Sequence, residues 1–69
     1  MDHATIIHKL GGYQVVAGLF GLNPSTVWRW QRYGIPPMHW PVIIQLSRKR
    51  RLGVTIDVLL AHARQRKAA

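Results

Sequence analysis

The sequence has no cysteine, which excludes disulfides and thiolate metal sites. It has only two acidic residues, Asp2 and Asp57, near opposite ends of the 69-residue chain. Acid/base chemistry that sets two carboxylates about one substrate is therefore a poor fit. No apolar stretch approaches the about 20 residues that span a bilayer. No apolar run follows a basic start, so no signal peptide is expected. The four histidines, His3, His8, His39 and His62, show no ligand spacing and read as ordinary surface or half-buried residues. There is no nucleophile–base pair, metal constellation or Gly-rich phosphate loop. The expectation is a non-enzyme without cofactor, metal or small-molecule ligand. A chain this short makes one domain, 1–69, with a small core that buries about 60% of its unfolded surface.

Positive charge is abundant. Ten Lys and Arg against two acids give a net charge of +8. Residues 1–28 hold only Lys9 and Asp2 and sum to zero, so residues 29–69 carry all of the excess. A folded domain with one basic side suits a polyanion or an anionic surface. At 48% hydrophobic residues the chain is expected to fold.

Punctuation divides the chain into about five short helices, and no alternating β-branched run argues for strands. Asp2 caps a first helix carrying Ile6, Ile7 and Leu10, and Gly11-Gly12 ends it. A second helix runs from Tyr13 to Phe20, with Gly21 as its corner. Asn23 caps a third, Pro24 occupies its first position, and it runs to Gln31 or Arg32. Gly34-Ile35-Pro36-Pro37 is a stiff connector. A looser turn over Pro37 to Trp40 precedes a fourth helix that starts near Pro41 and carries Trp40, Ile43, Ile44 and Leu46. The basic run Arg48 to Arg51 closes it, with Gly53 as the stop. Thr55 caps a fifth helix with Asp57 in its first turn and Ile56, Leu59, Leu60 and Ala63 as its apolar stripe. The basic tail, Arg66 to Ala69, is expected to fray.

Residues 13–32 form the strongest pattern. Two short helices meeting at a tight Gly turn need a small residue at their crossing, supplied by Ala17. They need apolar residues facing the core on both sides of the turn, supplied by Val16, Phe20, Leu22, Val27 and Trp30. This is the spacing of a helix-turn-helix whose second helix lies in the DNA major groove. With Ala17, Gly21 and Leu22, then Ser25, Val27 and Trp30, then Gly34-Ile35-Pro36, Trp40-Pro41 and Val54-Thr55 before Ile56 to Leu60, the chain resembles the small Cro-type, YdaS-like phage regulators. The resemblance implies an all-α, lambda-repressor-like bundle of five helices. It also implies a DNA-binding transcriptional regulator that works as a homodimer on a palindromic operator. Two positions depart from the family: Trp28 stands where relatives have a small or polar residue, and Pro24 where they often present Gln to the bases.

Core positions Val27 and Trp30 leave Ser25, Thr26, Trp28, Arg29 and Arg32 facing outward. By family position, Ser25, Trp28 and Arg29 match the base-reading places. Arg29 suits guanine O6 and N7, and Trp28 suits a thymine methyl. Ser25 fits either a base or a phosphate. The alternative for Trp28 is a core edge or a dimer seam, and for Arg29 a solvated face. Gln14, Thr26, Arg32, His39, Arg48, Lys49 and Arg51 are the candidate phosphate contacts. Trp30 and Trp40 read as core. Val42, Val58 and the C-terminal tail are candidate dimer contacts.

The expected function is a cytoplasmic, sequence-specific regulator of transcription, most simply a dimeric repressor that excludes polymerase, with double-stranded operator DNA as its partner and no membrane involvement. Two other readings stay open: an antitoxin-like or corepressor interaction module on the same fold, and a non-specific cationic binder of nucleic acid or a membrane surface.

Overall fold

Most helix starts in this chain fall where a side chain or a proline can spare an unpaired amide, and several helix ends fall where the backbone turns left-handed. The computed structural model describes residues 1–68, with side chains described for residues 1–62. Among them lie five α-helices and no strand: α1 (His3–Lys9), α2 (Tyr13–Phe20), α3 (Pro24–Tyr33), α4 (Trp40–Lys49) and α5 (Ile56–Ala68). A 3₁₀ turn over Pro37–His39 leads into α4. The fold is an all-α bundle, as expected. The basic side chains Arg64, Arg66 and Lys67, the Ala63 position and the fraying expected from Arg66 on lie outside the residues whose side chains are described.

The caps follow the sequence. Asp2 Oδ1 accepts from the Thr5 N–H at 2.7 Å and starts α1. Asn23 Oδ1 accepts from the Ser25 N–H at 3.0 Å and starts α3, with Pro24 where no donor is needed. Thr55 Oγ1 accepts from the Val58 N–H at 3.3 Å and starts α5. Helices α1 and α2 end in the same motif. The Gly12 N–H reaches back to Ile7 O at 3.0 Å, and the Leu22 N–H to Ala17 O at 2.9 Å. In both, the glycine just before, Gly11 or Gly21, takes a positive φ.

Two boundaries differ from expectation. Helix α3 runs one turn-end further, to Tyr33, because the Gly34 N–H still bonds Trp30 O at 2.8 Å. Helix α4 stops well before Gly53. Its last turn closes through Leu52 N–H to Ser47 O at 3.0 Å and Arg51 N–H to Arg48 O at 3.1 Å. Arg51 holds φ 54°, the left-handed place that glycine usually fills. Only Arg48 and Lys49 of the basic run are inside the helix.

Helix α3 packs most extensively on α2 and also on α1, while α4 packs on the 3₁₀ turn and α5. The core gathers Ile6, Ile7, Leu10, Val16, Ala17, Val27, Trp30, Ile35, Trp40, Ile43, Val54 and Leu59. The apolar stripe of α5 needs correction. Ile56 is 47% exposed, whereas Leu59 is fully buried and Val58 and Leu60 pack partly against the core. Val54, just before the Thr55 cap, and Leu59 occupy the two places of a hydrophobic staple, and both are buried. Ser47 is a polar member of the interior; its hydroxyl donates to Ile44 O at 2.9 Å.

His3 overturns the expectation of an ordinary histidine. It is 4% exposed. Its Nδ1 accepts from the Ile35 N–H at 2.7 Å, and its Nε2 lies 3.0 Å from Leu59 O. One ring thus ties α1 to the connector and to α5. The Trp40 indole N–H donates to Ile35 O at 2.7 Å, so both backbone groups of Ile35 are held by side chains.

Candidate nucleic-acid interface

The 3.6-residue period of α3 sorts its side chains into two faces. Val27 and Trp30 are buried. Ser25, Trp28, Arg29 and Arg32 are exposed and follow the i, i+3, i+4, i+7 spacing of a single strip. The structure therefore brings together all three expected base readers and one expected phosphate contact. Thr26 is also exposed, on the flank of this strip. Trp28 is 47% exposed. The Arg32 guanidinium sits 5.8 Å from the centre of the Tyr33 ring, a cation–π distance.

An aromatic cluster fixes the helix behind this strip. The Phe20 and Trp30 rings meet edge-on at 5.6 Å, and His39 lies 5.2 Å from Phe20 and 4.9 Å from Trp30. It links the end of α2, the middle of α3 and the 3₁₀ turn. His39 was expected at a phosphate. It is half-buried here, and its ring braces the cluster.

The two helix starts differ chemically. At α3 the first amides are spent internally: Pro24 has none, the Ser25 N–H goes to Asn23 Oδ1, and the Thr26 N–H goes to Asn23 O at 3.0 Å. Ser25 Oγ also donates to Asn23 Oδ1, at 2.9 Å. At α2, Gly12 is the cap residue and no side chain bonds the first turn. An uncapped helix start suits an anion, and exposed Gln14 stands in that turn.

Arg48, Lys49 and Arg51 are exposed at the far end of α4, about 15 Å of helix beyond the 3₁₀ turn. They form a basic area at the C-terminal end of α4 and just past it. Val42 is exposed, whereas Val58, the other expected dimer contact, is half-buried against the core. An open cleft of about 230 Å³ lies at the other end of α3, lined by Asp2, His3, Ala4, Gln31, Arg32, Gly34 and His62. Hydrogen bonds from the Thr5 side chain and then its backbone N–H hold the Asp2 carboxyl below its ordinary value of 3.8. Among the described residues, no three histidines or carboxylates gather closely enough to hold a metal ion. No helix among them is long and apolar enough to cross a membrane.

Sequence reasoning missed the bond that commits the Ser25 hydroxyl. Its signal was the Asn-Pro-Ser start itself, because an Asn cap two residues before a serine can take both the amide and the hydroxyl. No protein-family model, curated protein or solved structure matches the chain.

Proposed function

We propose that the protein is a sequence-specific DNA-binding regulator of transcription whose α3 enters the major groove. The observation that carries this reading is the α3 strip. Two arginines, a serine and a tryptophan share one exposed face, while the opposite face is locked into the core. Arg29 pairs its planar fork with guanine O6 and N7, and Ser25 and Trp28 complete the base contacts. Arg32 and Thr26 at the strip, Gln14 at the uncapped start of α2, and Arg48, Lys49 and Arg51 supply phosphate contacts. The net charge of +8 favours such a partner. His39 contributes by bracing the turn beside α3.

The protein acts as a homodimer on an inverted repeat, its two α3 helices about 34 Å apart on one face of the duplex. Exposed Val42 belongs to the candidate dimer seam. A dimer seated on a promoter represses by excluding polymerase. This is the action of the Cro-type regulators that the sequence resembles, and it places the protein in the cytoplasm. No catalytic step, cofactor or small ligand enters the mechanism.

The test is selection of random duplexes by the purified chain at physiological salt, followed by footprinting. A protected inverted repeat supports the reading. Enrichment without shared sequence overturns it and leaves a general cationic surface.

A further inference from the structure

We propose that Ser25 and Trp28 together read an exocyclic amino group lying beside a pyrimidine 5-methyl group, next to the guanine taken by Arg29. The inference rests on the DNA-reading role proposed above.

It starts from one proton. A serine hydroxyl has one hydrogen to give and two lone pairs to offer. The Ser25 hydrogen goes to Asn23 Oδ1 at 2.9 Å, and the same oxygen holds the Ser25 amide at 3.0 Å. The exposed hydroxyl oxygen is left as an acceptor. Phosphate oxygens, guanine O6, thymine O4 and the purine N7 atoms are acceptors too and find no partner in it. In the major groove, only the amino groups of adenine and cytosine donate. This sorts Ser25 away from the backbone and toward two of the four bases.

Trp28 stands three residues on, so its Cβ lies about 5–6 Å from that of Ser25 on the same helix surface. It is 47% exposed, and its indole presents an apolar face and a single donor. The apolar feature of the major groove is the pyrimidine 5-methyl group. Arg29 is adjacent in sequence and one helical turn after Ser25.

The required pair of groups has two sources. One base, 5-methylcytosine, carries the amino and methyl groups on neighbouring ring atoms. Two stacked bases, adenine and thymine, carry them about 3.4 Å apart. The chemistry is shared, and the experiment separates the sources.

Duplexes enriched from a random pool by the full chain are remade with single groups deleted. Thymine is replaced by uracil, adenine by purine lacking the amino group, and cytosine is compared with 5-methylcytosine. Each is titrated with wild type, Ser25→Ala, Trp28→Ala and Asn23→Ala, their helicity checked by circular dichroism. Removing the amino group should weaken wild type by about fivefold, one hydrogen bond's worth, and leave Ser25→Ala indifferent. Removing the methyl should weaken wild type by about fourfold and leave Trp28→Ala indifferent. Asn23→Ala releases the serine hydrogen and should relax the amino-group preference. Tightening on cytosine methylation identifies the single-base source, and loss on thymine-to-uracil exchange identifies the stacked pair. An enriched site that depends on neither group overturns the inference alone, as do dependences that persist in the variants. A pool with no enriched sequence overturns the DNA-reading role and this inference together.

Discussion

The backbone N–H of Ile35 donates to Nδ1 of His3 across 2.7 Å and 32 positions of chain. The other ring nitrogen lies 3.0 Å from Leu59 O, which requires the neutral ring with its proton on Nε2. Replacing His3 by Ala leaves the buried Ile35 amide without its partner and removes a second bond from Leu59 O, a carbonyl inside α5. An unpaired buried amide costs about 1–3 kcal/mol, and that is the expected loss, a large share of what so small a domain has. Urea unfolding measures it, and ¹⁵N spectra of the ring report the tautomer. A midpoint unchanged by His3→Ala, or a ring protonated on Nδ1, contradicts this account.

Asp2 gives the stability an acid-sensitive component. Its carboxyl titrates below 3.8 in the fold because the Thr5 bonds favour the charged form. The unfolded chain takes up this proton first as pH falls. The contribution is therefore complete above the ordinary carboxylate range and lost as pH drops through the lowered value. Asp2→Asn keeps a capping oxygen and removes the titration, so its unfolding midpoint should vary less between pH 5 and pH 2.5. Identical acid profiles for the two proteins count against the cap.

Arg51 sits at φ 54°, where an L side chain is strained by roughly 1 kcal/mol. Arg51→Gly should raise stability by about that amount and the melting temperature by several degrees. If Arg51 also meets phosphate, the same variant binds DNA more weakly while melting higher. Calorimetry and a salt titration read the two effects separately.

Arg29 and Arg32 lie on one strip and are expected to fail differently. Arg29→Ala should cost about 1–3 kcal/mol on the selected site and little on random DNA. Arg32→Ala should weaken both alike and reduce the log–log salt slope by about 0.9. Equal behaviour of the two variants removes Arg29 from base reading.

Local chemistry made much of this fold readable. The caps Asp2, Asn23 and Thr55 and the corner at Gly21 act over a few residues, so α2 falls where its sequence puts it. The outer strip of α3 was readable for the same reason, since a single period places Val27 and Trp30 opposite Arg29. His3 was not readable, because both its partners are remote in sequence. Ser47 looks like a surface residue until its hydroxyl is seen bonded to its own helix. At the end of α4, Gly53 is the stronger local signal, yet the last turn closes two residues earlier on Arg51. Its exposed charge favours no backbone conformation that sequence could reveal.

The His3 contact with Leu59 spans 56 positions and sets an order of assembly. Helices α2 and α3 are neighbours in sequence and can dock while the chain is still being made. The imidazole must wait until Leu59 has been synthesised before its second partner exists. A nascent chain thus holds the paired helices and the connector early and gains the tie to α5 last. The α3 strip is shaped first, and the scaffold that aims it is completed only when α5 docks on His3.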